Sequence, residues 1–583
     1  MADTAVYSKV PRRLMTVIAQ DPGVTSKNGN VLMTRVEVPA EKLAPGPRGH
    51  RVHVIDFDSS TDTFYRPRTT KLDQDEWDGI DDRAKLEAHP HFHAQNAYAI
   101  VSSTLLSFEA ALGRHVSWGF DYRTHQLKVA PHAFAEANAF YSRRDEGLMF
   151  GYFPAASGKR TVFTCLSHDI IVHETTHALL DGLRRQYQRP SSADQAAFHE
   201  GYADIIALLS VFRSEEMIGH GLATVRRTQD NMFRLGDVKK GIDESFLVGL
   251  ADEMGRELEG LHRDALRRSV NLDPSPRYLK SAEYQEAHRR GEILVAAVMQ
   301  AFLRVWWNRL LGKVGLAARM DRKLSTADAQ RRVEGWRVTE EGATTAKHLL
   351  QMLMRALDYL PPVDISFGDF LSAVVTADVQ ACPDDNKYGY RTVLLQSFAA
   401  FGIKPSSSTS AQPGLWQTPD ARFQYGHAHF DAMRWDREAI FRFIWENRRL
   451  LKLVDNAFTM VESVRPVVRV APDGFVLREV VVEYFQLLTV RADELRQIRL
   501  RKPDGMPDWQ NVRLYGGGTL IFDEFGHLKF DIANRLDSKR QNERLNELWQ
   551  RGAFRREFET ERHFARLHRE RALQQPILAG EQW

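Results

Sequence analysis

Cysteine is almost absent from this 583-residue chain, which contains only Cys165 and Cys382. Two cysteines so far apart cannot build the disulfide framework of a small secreted protein, and neither belongs to a closely spaced metal-binding pair. A large excess of one sign of charge is missing as well, because 79 lysines and arginines against 76 aspartates and glutamates leave a net charge of only +3. So small an excess of positive charge gives no reason to expect binding to nucleic acid.

Long apolar stretches are also missing. The sequence has no run of about 18 apolar residues, so we expect no membrane span. The N-terminal segment lacks the apolar core of a secretory signal, which predicts a cytoplasmic protein. A hydrophobic fraction of 43% and a charged fraction of 27% are ordinary for a globular protein, and the length predicts roughly two to four domains.

The most informative segment contains the motif HETTH, with a glutamate 23 residues after its second histidine. His173 and His177 are four residues apart, so on a helix both imidazoles project from one face. Glu174 can reach a water on that face as a general base. Glu200, on a second predicted helix, completes a His₂Glu zinc site with an open fourth position, and Asp204 is placed to accept a ring N–H of a ligand histidine. The segment therefore predicts the metal centre of a peptidase.

Two histidines and a glutamate on one helix also occur on a solvated polar face, which is the alternative interpretation. Apolar residues surround both parts of the motif, so both helices are predicted to be buried. Buried ionisable groups need partners or a metal ion, which favours the metal site. The apolar neighbours are Ile170, Ile171, Val172, Ala178, Leu179, Leu180, Ile205, Ile206, Leu208 and Leu209.

Local patterns divide the chain into regions. Short β-like runs separated by turns fill residues 1–160, the two metal helices occupy 161–212, and helical periodicity dominates 213–403. A stretch rich in serine at 404–415 is predicted to be a linker. Strand-like runs and a charged helical tail follow in 416–583, which predicts an additional α+β domain.

The metal segment resembles the thermolysin-like gluzincin zinc metallopeptidases, and further motifs extend this resemblance over roughly residues 30–405. The segment NAFY at 138–141 is similar to the family's edge strand, and AHRRGEILVAAVMQAF resembles a family helix that begins near a histidine. The resemblance implies an α+β, two-lobed fold with a β-rich N-terminal lobe, zinc helices and a helical C-terminal lobe.

The resemblance also implies roles for residues outside the zinc motif. His288 would stabilise the oxyanion that develops during peptide hydrolysis, and Glu283 would hold this histidine in place. Tyr187 is the tyrosine nearest to the position from which a family tyrosine assists. The residues that would bind substrate are Asn138 and Ala139, by strand addition, and Arg267, through a substrate carbonyl.

One zinc ion per chain is the cofactor that the resemblance implies. The acidic cluster of the family's calcium site is replaced by the apolar segment 207–212, so calcium is not expected. The sequence HPHFH, with His89, His91 and His93, can bind a metal if it is a strand, but an exposed start of a helix is favoured. The sequence GHAHFD, with His427, His429 and Asp431, lacks the partners of a two-metal site.

The leading hypothesis for function is a cytoplasmic zinc endopeptidase acting on peptide or protein substrates. No GxMEN-like segment is found to bind a substrate's free amine, which favours an endopeptidase over an aminopeptidase. Residues 416–583 are predicted to recognise a substrate or a regulatory protein. The alternative is a latent or inactive, zinc-stabilised binding or sensor protein that acts through this C-terminal region. Glu174 argues against it, because zinc binding alone does not need a general base.

Overall fold

The structure is a computed structural model that describes residues 11–554 with gaps, and every structural statement below concerns those residues. Residues 1–10 and 555–583 lie outside it. The gaps are residues 27, 72–73, 121–124, 156–157, 159, 190, 224, 245–268, 270–271, 317–323, 385–386, 408–412, 427–428, 471–475, 551 and 553.

Strands lie mainly in the first third and in the last quarter of the chain. They are β1 (Arg12–Ile18), β2 (Met33–Pro39), β3 (Val52–Val54), β4 (Phe57–Asp58), β5 (Thr63–Phe64), β6 (Leu127–Phe134), β7 (Ala139–Ser142), β8 (Gly147–Pro154), β9 (Thr161–Phe163), β10 (Phe233–Arg234), β11 (Arg332–Val333), β12 (Phe458–Val470), β13 (Val476–Arg491), β14 (Asn511–Phe522) and β15 (Leu528–Asn534).

Helices dominate the middle of the chain. They are α1 (Arg83–Glu87), α2 (Pro90–Leu112), α3 (His168–Leu183), α4 (Ala193–Phe212), α5 (Glu215–Gly221), α6 (Leu235–Glu244), α7 (Ala287–Lys313), α8 (Thr326–Ala329), α9 (Gly335–Ala356), α10 (Phe367–Ala381), α11 (Tyr390–Ala400), α12 (Phe430–Met433), α13 (Arg437–Glu446) and α14 (Arg540–Gln550). Helical and strand regions are largely segregated along the chain, which is the α+β class predicted from the sequence.

The N-terminal strands form an antiparallel pair, β1 with β2, and a mixed sheet in the order β3, β6, β8, β7, with β9 also paired to β8. Among the strands of the described residues, β7 pairs with β8 alone and therefore lies at the sheet edge. A tight turn at residues 143–146 joins β7 to β8, which pair in antiparallel fashion. Helix α2 packs against the β1–β2 pair and against α3, so one apolar core joins the strands to the helices.

Helices α4 and α7 cross at a pair of glycines, Gly201 and Gly291. A Cβ atom on Gly201 would lie 2.9 Å from the carbonyl oxygen of Gly291, and one on Gly291 would lie 3.1 Å from the backbone nitrogen of Gly201. The first separation is shorter than Cβ atoms adopt and the second is tighter than most, so glycine at these positions lets the backbones approach closely. Glu200 and His288, which flank this contact in the sequence, are thereby brought together.

The last region is a four-stranded antiparallel sheet in the order β12, β13, β14, β15. Strand β14 is paired over its full length with residues 480–491 of β13, and α13 packs against β12. Buried charges join this sheet to the helical part of the chain. Asp358 accepts hydrogen bonds from both Arg114, at 2.7 Å, and Arg469, while Arg184 pairs with Glu483.

The segment between the two parts runs along helix α10. The backbone N–H of Ser406 donates to the Gly368 carbonyl at 3.1 Å, and that of Ser407 donates to the Ser372 hydroxyl at 3.1 Å. Trp416 then donates its backbone N–H to Thr376. The predicted domain boundaries remain predictions, but the described part of residues 404–415 is fixed to the helical region.

No helix within the described parts of the chain combines the length and apolar character that crossing a bilayer requires.

Candidate metal centre

The HETTH motif lies in the middle of helix α3, as its spacing predicts. The flanking apolar residues bury the whole helix, and His173 and His177 are 3% and 2% exposed. Their Nε2 atoms are 2.9 Å apart, because residues four apart on a helix share one face. The two imidazoles thus direct nitrogen atoms at one point in the interior.

Helix α4 supplies the third side chain. Its N-terminus is capped by Ser192, which accepts a hydrogen bond from the Gln195 backbone N–H. Two turns later, Glu200 Oε2 lies 3.5 Å from His173 Nε2 and 3.7 Å from His177 Nε2. The packing of α3 against α4 therefore brings together residues that are 23 positions apart in the sequence.

These three ligand atoms fit a zinc ion. Tetrahedral coordination at about 2.0–2.1 Å places neighbouring ligand atoms about 3.3 Å apart, and the observed separations of 2.9, 3.5 and 3.7 Å bracket that value. Imidazole nitrogen and carboxylate oxygen are also the donors found in His₂Glu catalytic zinc sites. The chemistry and spacing of the donors therefore match the predicted ligands His173, His177 and Glu200.

Asp204 contacts the other ring nitrogen of His173. Its Oδ1 lies 2.8 Å from His173 Nδ1, which leaves Nε2 directed at Glu200 and His177. Burial acts to lower the pKa of His173, but the hydrogen bond and charge of Asp204 outweigh it and raise that pKa well above its usual value. A carboxylate behind a ligand histidine fixes the ring and strengthens it as a donor.

Glu174 is fully buried beside the two histidines, with its carboxylate directed towards strand β7. Its Oε2 accepts a hydrogen bond from the Tyr141 backbone N–H at 2.9 Å. His173, Glu174 and His177 each offer one possible ligand atom, and these three atoms lie within 4.8 Å of one another. The predicted general base therefore lies beside the ligand atoms.

His288 reaches the same place from the start of helix α7. Its Nε2 is 3.3 Å from Glu200 Oε2, and its Nδ1 is 2.8 Å from Glu286 Oε1. Glu286 is also the N-cap of α7 and accepts the backbone N–H groups of His288 and Arg289. Burial acts to raise the pKa of Glu286, but the hydrogen bond and charge of His288 lower it to about 2.

The residue that holds His288 differs from the expected one. The resemblance assigns this role to Glu283, whereas in the structure Glu286 makes the contact. Glu283 lies in a short 3₁₀ helix before α7, with a 60% exposed side chain that pairs with Arg289 at 3.4 Å. The helix N-cap is the position from which a carboxylate reaches both the backbone and the ring of His288.

Tyr187 is not directed at this group of residues. It is fully buried in the short 3₁₀ helix after α3, and its hydroxyl donates to the Pro361 carbonyl at 2.7 Å. Because a phenol has one proton to donate, that bond leaves none for an oxyanion. Burial, its largest influence, raises the pKa of Tyr187.

The predicted substrate-binding residues are partly located. Asn138 is buried at the start of edge strand β7, and its side-chain oxygen accepts the Ala139 backbone N–H at 2.9 Å. The next N–H on this side of the strand is that of Tyr141, which reaches Glu174. Asn138 and Ala139 therefore belong to the strand that contacts the predicted general base. Arg267 lies outside the described residues.

His199 is a site residue that the sequence reasoning missed. Its ring stacks on that of His177, with centroids 4.5 Å apart and an interplanar angle of 21°. Donor atoms of His177, His199 and Glu200 also fall within 4.8 Å of one another. Its position directly before Glu200 on a buried helix is the feature of the sequence that could have indicated it.

Comparison with family models and with curated proteins finds no match for this chain.

Proposed function

We propose that this protein is a zinc-dependent endopeptidase. The observation that carries the proposal is the arrangement of His173, His177 and Glu200 beside a buried glutamate, Glu174, that is itself attached to an edge strand. A zinc ion held by the first three would lower the pKa of a bound water and polarise a substrate carbonyl. We propose that each chain binds one zinc ion and no calcium ion.

Glu174 supplies the proton transfers. Its carboxylate takes a proton from the attacking water and later delivers it to the leaving amine. The hydrogen bond from the Tyr141 N–H keeps the carboxylate in one orientation, so that no reorganisation is needed during the reaction. A purely structural metal site does not require a carboxylate in this position.

His288 stabilises the negative charge that develops on the carbonyl oxygen. Its Nδ1 is held by Glu286, and its Nε2 points at the ligand group. A donor fixed before the reaction stabilises developing charge without the cost of reorienting a solvent dipole. Tyr187 has no part in this proposal, since its proton is given to Pro361.

Substrate is proposed to bind in extended conformation along β7. Among the described strands, β7 lies at the edge of its sheet, and strand addition at an edge recognises a peptide through its backbone. Because the Ala139 and Tyr141 N–H groups already donate to Asn138 and Glu174, the carbonyl groups of β7 are the ones proposed to accept from the peptide. Backbone recognition suits an enzyme that binds within a chain rather than at a free terminus. The overall arrangement is proposed to be a thermolysin-like, two-lobed peptidase in the cytoplasm, with residues 416–583 recognising a substrate or a regulatory protein.

The test is cleavage of a mixed peptide library by the zinc-loaded protein, read by mass spectrometry. Glu174→Gln is the inactive comparison, and Glu283→Gln is the matched control because its side chain is exposed and paired with Arg289. We expect cuts within peptides from the wild type and Glu283→Gln, and none from Glu174→Gln. Equal cutting by all three proteins would refute the role of Glu174.

Two further outcomes discriminate between the functions considered. Amino-terminally acetylated peptides cut more slowly than their free-amine parents would identify an aminopeptidase. If no protein cuts although each chain holds one zinc ion, the protein is a latent enzyme or a zinc-stabilised binding protein, and residues 416–583 become the part to test for a partner.

A further inference from the structure

A second group of metal-binding side chains lies apart from the proposed peptidase centre. His93 in the first turn of α2, His132 in β6 and Cys165 in the short 3₁₀ helix before α3 offer ligand atoms that lie within 4.8 Å of one another. All three residues are 1% exposed or less. None of them belongs to the HETTH motif or to the helix that carries Glu200.

The hydrogen bonds around the two histidines leave two lone pairs facing each other. His132 Nδ1 lies 2.9 Å from the Asp56 carboxylate, which can only accept, so the ring proton is on Nδ1. His93 Nε2 lies 3.1 Å from the Leu86 carbonyl, which also only accepts. His132 Nε2 and His93 Nδ1, 2.8 Å apart, are therefore both without a proton when the rings are neutral.

Two facing lone pairs at this distance repel unless something positive lies between them. One extra proton would do so, and its charge would be balanced in part by Asp56, beside His132 Nδ1, in otherwise apolar surroundings. The surroundings are indeed aromatic: the His132 ring lies 4.7 Å from that of Tyr65, and the His93 ring 4.6 Å from that of Phe163. A metal ion would accept the lone pairs of both nitrogen atoms and would also be coordinated by the sulfur of Cys165.

The proposed zinc centre provides an internal comparison. There, too, two imidazole Nε2 atoms approach within 2.9 Å, and one ring is held from behind by a carboxylate, Asp204 on His173, at 2.8 Å. In the second group the corresponding distances are 2.8 Å between the histidines and 2.9 Å from His132 to Asp56. In both places, metal coordination needs the nitrogen atoms to separate by about half an ångström.

The position of Cys165 follows from the same helix that carries His93. Asn96, three residues after His93, donates its side-chain amide to the Cys165 carbonyl at 3.0 Å, and its oxygen accepts the Ile18 backbone N–H. One face of α2 thus presents a ligand and also holds the backbone of the cysteine. The three ligands come from segments that are far apart in the sequence.

We propose that His93, His132 and Cys165 bind a second metal ion, a thiolate-preferring ion such as Zn²⁺ or Cu⁺, that joins α2, β6 and the 3₁₀ helix before α3. Imidazole and thiolate are the donors that these ions share, and Asp56 behind His132 fixes the ring. Cys165 binds as the thiolate, so its S–H proton leaves to solvent as the metal enters. The site does not depend on peptidase activity.

Cobalt reports on this site separately, because only a thiolate ligand gives the intense near-ultraviolet charge-transfer band of Co²⁺. The full-length protein is stripped of metal and reloaded with Co²⁺, and its spectrum and cobalt content are measured. Cys382→Ser is the matched control, since Cys382 is the other cysteine and is exposed. We expect two cobalt ions and the band in the wild type and in Cys382→Ser.

In Cys165→Ser we expect one cobalt ion and loss of the band, with circular dichroism confirming the fold. If that variant does not fold, the spectrum of Cys382→Ser decides, because any thiolate band in it must come from Cys165. One cobalt ion and no band in Cys382→Ser would overturn the proposal. It would indicate that a shared proton, and not a metal ion, lies between His93 and His132. Elemental analysis and anaerobic titration with Cu⁺ against a Cu⁺ chelator then separate zinc from copper.

Discussion

The backbone N–H of Tyr141 donates a hydrogen bond to Glu174 Oε2 at 2.9 Å, which attaches the proposed general base to the edge of the sheet. The hydroxyl of the same tyrosine donates to Asp181 Oδ2 at 2.7 Å, two turns further along α3. These two contacts hold strand β7 against the helix that carries the histidines. The strand proposed to bind substrate and the residue proposed to move the proton therefore form one rigid unit.

We predict that the Tyr141 hydroxyl helps to hold strand β7 against helix α3. Tyr141→Phe keeps the backbone N–H but removes a donor from the buried Asp181 carboxylate, so we expect the free energy of unfolding to fall by about 1–3 kcal/mol. Zinc content should not change, because no ligand is touched. Urea denaturation of both proteins measures the effect. An unchanged midpoint would show that the Tyr141 hydroxyl is not important for holding the strand.

His288 is predicted to act on the transition state rather than on the metal. His288→Gln should lower kcat by about 10²–10³-fold with one zinc ion still bound. Glu286→Gln should give a smaller loss, because it only weakens the positioning of the His288 ring. Glu283→Gln should behave as the wild type, since its side chain contacts Arg289 instead. Equal losses in both glutamate variants would contradict the geometry.

Asp204 is predicted to strengthen zinc binding. Asp204→Asn removes the charge behind His173 Nδ1, and losses of a carboxylate in this position typically cost about 10–100-fold in metal affinity. Competition with a chromophoric zinc chelator measures the dissociation constant. Asp230→Asn, at an exposed aspartate paired with Arg332, is the control and should bind zinc like the wild type.

The contact between the helical part and the C-terminal sheet is predicted to depend on Glu483. Glu483→Ala leaves the fully buried Arg184 without its carboxylate, and breaking a buried pair typically costs about 3–5 kcal/mol. Glu438→Ala removes an exposed partner of Arg442 and should cost no more than about 1 kcal/mol. Thermal or urea unfolding compares the two. Equal effects would show that the buried pair contributes little.

Acid should weaken the same contact through Asp358. Burial acts to raise the pKa of this carboxyl, but the charges of Arg114 and Arg469 lower it to about 2, below its usual value of 3.8. A lowered folded-state pKa stabilises the protein above the unfolded-state value, and this stabilisation, about 2 kcal/mol, is lost as pH falls from about 4 to about 2.

The variant Asp358→Asn tests that window. It should be less stable than the wild type at neutral pH, because two buried arginines lose their shared carboxylate. Its stability should also fall less steeply than that of the wild type between pH 4 and pH 2. Urea midpoints across this range provide the comparison, and parallel curves for the two proteins would argue against Asp358 as the titrating group.

Much of the local structure was predictable because helices and strands are determined by periodicity over a few residues. The sequence has strand-like runs at 14–19 and 464–470 and a helical pattern at 291–311. Residues 14–18 of the first run lie in β1, the second run lies in β12, and the helical pattern lies inside α7. The structure lengthens this helix at both ends, because the start of a helix is fixed by its capping contacts. Glu286 caps α7 and begins it four residues earlier than the pattern.

Sequence alone placed His173 and His177 together, because positions four apart on a helix share a face, and it placed Glu174 beside them, because it is three residues from His177. It also indicated Glu200 and Asp204, since the second helix repeats the buried pattern. Tertiary structure decided which groups surround them. The contact between Gly201 and Gly291 brings in His288, the helix N-cap favours Glu286 over Glu283, and Pro361 takes the proton of Tyr187.

The sequence did not indicate that His93 lies beside His132 and Cys165. The pattern HPHFH favoured the exposed start of a helix over a metal site on a strand, and it does begin helix α2, but His93 is buried rather than exposed. These residues come from a helix, a strand and a short turn, and no periodicity relates them. Local spacing therefore determined the motif on α3, because a helix fixes the geometry of its own neighbours. Only the packing of distant segments decided what each donor atom contacts, because those contacts depend on how whole elements cross.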